Sequence, residues 1–245
     1  MRMRIIKPAM LNQILYLTIM GVLIVGIIPF SISVWAASNS LNIFPPGGNP
    51  YGLSYSDHIK NFWKWILAIP AKDNPFNDNT GERCALGQSN LSSSVFYLAP
   101  NGGGHSERTC KVPVGKGLMI PVMHVETSEF ESPGASPQEL SDAAKKDQDK
   151  TNSLYLKVDD KEYMMNDLIK YRTRTEPFQT TWPDKALFGI EKGGNSTIVA
   201  DGWYIITEPL AKGNHTIYFK SSLLPDPTTG AEGYATDIKY NIIAE

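Results

Sequence analysis

The chain has 245 residues, a formal net charge of −2 and 42% hydrophobic residues. A balance this close to neutral provides no electrostatic footprint for nucleic acid, so we expect no nucleic-acid partner. The apolar fraction is ordinary for a globular protein, and the length allows one large domain or two small ones.

Residues 1–36 have the pattern of an export signal. A basic stretch precedes an almost entirely apolar run at residues 14–34, and the small residues Val34 and Ala36 suit a signal-peptidase site. The run is also long enough to span a bilayer as an uncleaved anchor. Both alternatives place the remaining chain outside the cytoplasm, because the positive charges precede the apolar run. We expect a secreted or membrane-tethered protein that meets the membrane only through this segment.

A linker at residues 37–50 precedes the first predicted helix. Its run of prolines and glycines disfavours both a helix and a central strand. The helix is predicted over residues 56–69, with Ser56 as N-cap and apolar residues at i, i+3, i+4, i+7 and i+8. This amphipathic helix would open a single mainly-β domain at residues 51–245.

Cys84 and Cys110 are the only cysteines. In an exported protein, a single pair most simply forms one disulfide. Its loop of about 27 residues would stabilise the fold by roughly 3–4 kcal/mol. The alternative is a pair of metal ligands, although the spacing lacks the close C-x-x-C pairs of a zinc site.

The cysteines belong to a longer pattern between residues 63 and 122. It reads W-x-W-x-x-x-x-P, N-P-x-x-D-x-x-G-x-x-C-x-x-G-Q, V-F-Y-L, R-x-C-x-V-P-x-G-K and P-V. This pattern resembles a group of uncharacterised secreted bacterial and archaeal proteins. The resemblance covers roughly a third of the chain after the leader, and it implies export and a disulfide but no catalytic activity. The residues that carry it are Trp63, Trp65, Pro70, Asn74, Pro75, Asp78, Gly81, Cys84, Gly87, Gln88, Val95, Arg108, Cys110, Pro113, Gly115, Lys116, Pro121 and Val122.

Residues 73–82 form a loop rich in Asp, Asn and Gly. Asp73, Asp78 and Glu82 are hard oxygen ligands of the kind that calcium prefers, but their spacing is not that of an EF-hand. The alternative is a set of Asx turns and caps that serve the loop itself.

A second candidate metal site combines His124 and Glu126 with the distant His105. On a strand, His124 and Glu126 share one face, while Met123 and Val125 share the other. Imidazole and carboxylate ligands suit copper or zinc, although the separation from methionine weakens the case for copper. The alternative is ordinary core methionines and a surface histidine.

Residues 131–150 are predicted to be a polar helical insertion. Ser136 and Glu139 form a capping box, but the following segment has almost no apolar face, so we expect a solvated helix outside the core. Ser136 is followed by proline at the first helical position.

The chain after residue 152 has the pattern of β-structure. Strand–turn–strand is predicted at residues 154–165, with Asp159 and Asp160 in the turn. The further predicted strands are residues 187–190, 197–200, 203–208, 216–220 and 236–242. Their two-sided alternation predicts an antiparallel β-sandwich, either Ig-like or jelly-roll.

No motif for nucleophilic catalysis or for phosphate binding is found. We therefore expect a non-catalytic binding or structural module that meets an extracellular or cell-surface ligand. The alternative is an extracellular metal-binding protein or metalloenzyme for copper, zinc or calcium; the sequence names no cofactor. A third hypothesis, a carbohydrate-binding jelly roll, requires exposed aromatic residues such as Trp182 and Trp203 in a row on one concave face. Possible N-glycosylation sites are Asn90, Asn195 and Asn214.

Overall fold

Two mixed β-sheets of five strands each form the framework of the computed structural model, which describes residues 41–88, 93–228, 230 and 232–245. The predicted leader at residues 1–36, the start of the linker and Asn90 lie outside the described residues. Within the described part, no helix is both long and apolar enough to cross a membrane.

The described residues form the α-helices α1 (Tyr55–Leu67), α2 (Pro137–Gln148) and the single turn α3 (Met165–Leu168). The strands are β1 (Val95–Tyr97), β2 (Gly104–Val112), β3 (Gly117–Ser128), β4 (Thr151–Val158), β5 (Lys161–Met164), β6 (Arg172–Arg174), β7 (Phe178–Trp182), β8 (Gly194–Ile206), β9 (Gly213–Leu223) and β10 (Tyr234–Ala244).

Both sheets contain a parallel pair, so the expectation of purely antiparallel sheets is wrong. The first sheet has the order β1-β3-β8-β6, with β7 also paired to β8, and β1 runs parallel to β3. The second has the order β2-β10-β9-β4-β5, and β2 runs parallel to β10. Side-chain alternation reports which face of a strand is buried, but not the direction of its partner, and a parallel pair needs a long connection.

The predicted strands at residues 197–200 and 203–208 are one strand, β8. The predicted break at Asp201 and Gly202 is therefore wrong. A side chain at position 202 would place its Cβ 2.3 Å from the Met123 carbonyl oxygen and 2.8 Å from the His124 Cα. Gly202 thus lets β8 approach β3 where the register of β3 shifts between Pro121 and Met123.

Helix α1 begins one residue earlier than predicted. The side chain of Ser54, and not that of Ser56, accepts the capping hydrogen bond, from the backbone N–H of Asp57. Trp65 is buried as well as the main apolar stripe, so α1 packs on more than one side.

Helix α2 has the predicted capping box between Ser136 and Glu139. However, it does not lie outside the core. Leu140, Ala144 and Gln148 are each at most 1% exposed, and Leu140 and Ala144 pack with Val199 of β8. Their spacing of four residues gives a narrow buried stripe that a general lack of apolar residues conceals.

The remaining strand predictions are confirmed in part. The hairpin of β4 and β5 and the alternation of β10 are confirmed. Residues 187–190 do not form a strand; Leu187–Gly189 form a 3-10 turn instead. A largely apolar pattern of only four residues is compatible with a short strand and also with a turn that buries one side chain, here Leu187.

The predicted disulfide is confirmed between Cys84 and Cys110, with a Cα–Cα distance of 6.0 Å. The cysteines are therefore not metal ligands. The bridge links the loop that follows α1 to β2. Cys110 lies two residues after the buried Arg108, on the same face of this strand.

We predict that replacing both cysteines by alanine lowers the free energy of unfolding by about 3–4 kcal/mol, because the unfolded chain loses a cross-link across 26 residues. Urea denaturation of the double variant measures the loss. Reduced wild-type protein should show a similar loss. A change below about 1 kcal/mol would contradict a stabilising role for the bridge.

We predict that Gly202→Ala lowers the free energy of unfolding by about 1–3 kcal/mol, because its Cβ meets the backbone of β3. Gly102→Ala is the matched control, since its Cβ would lie 3.4 Å from the Phe76 ring, an ordinary contact distance. Thermal and urea unfolding of both variants test the prediction, which fails if the two behave alike.

Candidate functional site

The structure brings together two of the three predicted metal ligands. His124 and Glu126 both line a cavity of about 470 Å³, as expected from their shared strand face. His105 lies in the other sheet, on β2, where it is exposed and its Nδ1 is 3.1 Å from Asp237 Oδ1. Among the residues that the structure describes, no group of three or more His, Cys, Asp and Glu side chains is arranged to hold a metal ion.

The predicted calcium loop uses its main carboxylate internally. Asp78 is 4% exposed and accepts hydrogen bonds from the backbone N–H groups of Thr80, Gly81 and Arg83, and from the Thr80 hydroxyl. Asp73 and Glu82 are exposed. The loop thus corresponds to the alternative of turns and caps, in which the carboxylate satisfies backbone donors.

Several parts of the fold form the walls of the cavity beside β3. They are α1, the loop that follows it, the β1–β2 loop, β3, the β3–α2 loop, the end of α2, and the β9–β10 connection. The lining residues are Trp63, Phe76, Asn101, Gly102, His124, Val125, Glu126, Glu131, Asp147, Gln148, Lys150, Phe188, Leu223, Glu232 and Tyr234.

Four buried polar atoms of the cavity-lining residues have no hydrogen-bond partner among the described residues. They are both carboxyl oxygens of Glu126, Nδ1 of His124 and Nε2 of Gln148. The Glu126 side chain is only 7% exposed and Gln148 is fully buried. Each such atom costs about 1–3 kcal/mol of desolvation when it is left unpaired. A native fold rarely retains several of these atoms in one place without a use for them.

Burial controls the protonation of Glu126 and His124. Desolvation raises the pKa of Glu126 well above its ordinary 4.5, and the negative charge of Glu131 raises it further. Desolvation lowers the pKa of His124 from its ordinary 6.5 to about 4. Burial therefore favours the protonated form of the Glu126 carboxyl group and the neutral form of the His124 imidazole.

The strand geometry of β3 and a ring contact from α1 hold His124 in place. Its backbone pairs with Gly202 immediately after the irregularity in β3. The Trp63 ring lies 5.7 Å from the His124 ring, measured between centroids. Trp63 Nε1 in turn donates to the Tyr204 hydroxyl on β8 at 3.0 Å. The imidazole is thus confined by two secondary-structure elements, as a binding group on a rigid scaffold needs to be.

Ion pairs at the end of α2 neutralise the one lysine of the cavity. Lys150 Nζ lies 2.9 Å from Asp147 and 3.3 Å from Asp226. Its charge is therefore shared between two carboxylates, and it leaves Glu126 without a cationic partner. Gln148 lies between these charges in sequence and is fully buried among the cavity residues. Its Oε1 accepts a hydrogen bond from the Thr151 hydroxyl at 3.2 Å, and its Nε2 has no partner among the described residues.

Aromatic rings form the outer rim of the cavity. Phe76 and Phe188 meet edge to face with centroids 5.7 Å apart, and the Tyr234 hydroxyl donates to the Asn101 carbonyl at 2.8 Å. Phe188 is 43% exposed and has a φ of 58°. A bulky residue in this left-handed region is strained, and such strain collects at functional sites.

Trp182 and Trp203 are 2% and 4% exposed, so these two rings do not form the exposed surface that the carbohydrate-binding hypothesis requires. Asn195 and Asn214 are exposed on β8 and β9, so their glycosylation stays a prediction.

Sequence reasoning missed Gln148, Glu131 and Phe188 as cavity residues. The burial of Gln148 could have been predicted, because Gln148 continues the stripe of Leu140 and Ala144 at intervals of four residues. No sequence pattern pointed to Glu131 or Phe188, because loops that are distant in the chain bring them to β3.

No protein-family model and no curated protein sequence matches this chain. One solved structure, described as "Structure of PbICP-C in complex with falcipain-2", is 13% identical, and the match covers 62% of this chain and 100% of that one. Its TM-score of 0.23 is too low for the likeness to carry any argument about fold or partner.

We predict that Glu126→Gln raises the melting temperature more at pH 7.5 than at pH 4.5. Above the ordinary pKa of 4.5, the unfolded state releases the Glu126 proton while the folded state keeps it, so wild-type stability falls as pH rises. Glutamine has no such proton. Melting curves across this pH range measure the difference.

The control for this prediction is Glu129→Gln, on the same segment. The hydrogen bond from Thr197 lowers the pKa of Glu129, so its proton linkage has the opposite sign. A gain in melting temperature that does not grow with pH in Glu126→Gln would contradict the assignment of a protonated Glu126.

Proposed function

We propose that this chain is an exported, non-catalytic binding protein that takes a small molecule into the cavity beside β3. The observation that carries the proposal is the convergence of unpartnered polar atoms from His124, Glu126 and Gln148 on one space. A bound molecule that forms the missing hydrogen bonds offsets the desolvation of these atoms. The volume of about 470 Å³ lies within the range of pockets that hold small ligands.

Export belongs to the same proposal. The leader pattern at residues 1–36 and the resemblance to secreted proteins support it. The Cys84–Cys110 disulfide also supports it, because such bonds persist mainly in oxidising compartments.

We further propose that the two sheets stack as a sandwich of the Ig-like or jelly-roll kind. One continuous apolar core takes side chains from both sheets, and Ser221 Oγ on β9 donates to the Val122 carbonyl on β3 at 2.7 Å. Sandwiches of this kind commonly place their binding sites at the loops beyond the strand ends.

An acid–base enzyme is the second candidate function. The observation that favours it is the buried Glu126 beside Glu131. Burial and this neighbour raise the pKa of Glu126, and a carboxyl group with a raised pKa next to a carboxylate can act as a general acid. The metal-binding alternative has no comparable support, because the described residues include no metal-binding group of three.

The test is a thermal-shift screen of small polar and amphiphilic molecules against the oxidised protein, followed by calorimetric titration of the hits. We expect hits whose affinity falls about tenfold or more in Phe188→Ala, which removes an aromatic ring from the rim. The matched control is Met164→Ala, since Met164 is an exposed apolar residue that is not among the cavity residues.

Hits that bind equally well to Phe188→Ala and to Glu126→Gln would overturn the assignment of the cavity. Steady turnover of a substrate that disappears in Glu126→Gln while the fold is retained would replace binding by catalysis.

A further inference from the structure

Resting on the proposed function, we propose that the ligand of this cavity is a small organic cation, an ammonium group attached to an apolar body. The buried Glu126 receives the ammonium group, and the aromatic rim receives the apolar body.

The charges around the cavity favour a cation over an anion. Three other carboxylates line it, those of Glu131, Asp147 and Glu232, against one amine. That amine, Lys150, is engaged by Asp147 and Asp226. A cleft lined with one sign of charge attracts ligands of the opposite sign.

Glu126 is the buried acceptor that lacks a partner. Neither carboxyl oxygen accepts a hydrogen bond from a donor among the described residues, and the side chain is 7% exposed. Among these residues, the only polar neighbour that affects it as a hydrogen-bond partner is the carboxylate of Glu131, which can share its proton but cannot neutralise its charge. An ammonium group donates up to three hydrogen bonds and accepts none, so it complements an acceptor of this kind. Charge-assisted hydrogen bonds are also about twice as strong as neutral ones.

The aromatic residues provide the second half of the recognition. Trp63 stands beside His124 at the inner wall, and Phe76, Phe188 and Tyr234 line the rim. Aromatic faces attract cations and also pack against the carbon atoms attached to them. The strained and exposed Phe188 is the ring best placed to contact a ligand at the entrance.

Binding must be coupled to proton release. Burial and the nearby Glu131 favour the protonated form of Glu126 in the empty cavity. When the ammonium ion enters that form, the O–H bond breaks, the carboxylate pairs with the ammonium group, and the proton passes to solvent. The other titratable groups that face Glu126 or line its cavity are His124, Glu131, Asp147, Lys150, Tyr204, Glu232 and Tyr234.

The experiment compares benzylammonium, benzyl alcohol and benzoate, which share one apolar body and differ in charge. Calorimetric titration at pH 6.5 in two buffers of different ionisation enthalpy gives the affinity and the number of protons released. We expect benzylammonium to bind about tenfold or more tightly than benzyl alcohol, with benzoate weaker still. We also expect the release of about one proton per ligand.

The variant Glu126→Gln should lose both the preference for the cation and the proton release. Phe188→Ala should weaken benzylammonium while it leaves proton release intact, because Glu126 remains. Glu129→Gln, an exposed carboxylate outside the cavity, should behave as wild type in both measurements.

Equal or tighter binding of benzyl alcohol, sensitive to Phe188→Ala, would overturn the cationic ligand and leave a small-molecule cavity in place. Binding of benzylammonium without proton release would also overturn it. Failure of all three probes, together with a screen that yields no cavity-dependent hit, would overturn both this inference and the proposed function.

Discussion

The structure depends on a buried guanidinium group that holds loops together without a carboxylate partner among its hydrogen bonds. Arg108 is 1% exposed, and it donates to the carbonyl groups of Phe76, Ala99 and Pro100 and to the hydroxyl of Tyr240. A buried charge is tolerated only when fixed dipoles replace water around it. The carbonyl groups lie on the loop that follows α1 and on the β1–β2 loop. They can accept hydrogen bonds from Arg108 only if both loops pack against β2, so the buried charge determines how these loops fold. The Cys84–Cys110 disulfide also ties β2 to the loop that follows α1.

The rim of the cavity is a consequence of this arrangement. Phe76 and Asn101 lie on the two loops that Arg108 and its neighbours hold. The hydroxyl of Tyr234, at the start of the adjacent strand β10, donates to the Asn101 carbonyl. Across the cavity, Glu126 is held by the central strand of the first sheet. Among the described residues, the buried polar atoms without a partner at the cavity belong to His124, Glu126 and Gln148, whereas the others are single atoms of His58, Arg108, Thr180 and Trp182. Local polar groups without partners inside an otherwise consistent fold are typical of a functional site.

Much of the local structure was predictable, because it follows from short-range patterns. The alternation of β10, the turn at Asp159 and the capping box at Ser136 each depend on neighbouring residues alone. The failures share one cause. In the sequence, Gly202 indicates the end of a strand. In the structure, β8 continues through Gly202, and the glycine is there because β3 approaches closely. Helix α2 looks solvated until β8 covers Leu140 and its neighbours. Direction of strand pairing, likewise, is decided by partners that are distant in the chain.

The sequence by itself determined the mainly-β class, the cysteine pair, the first helix and the shared face of His124 and Glu126, because these depend on composition and on periods of two or of about four residues. Only the tertiary structure decided that His105 lies elsewhere, that Glu131 and Gln148 join Glu126, and that this carboxyl group is buried without a partner. The physical reason is that desolvation and convergence are properties of packing. They arise from elements that are far apart in the chain, and no local pattern encodes how those elements meet.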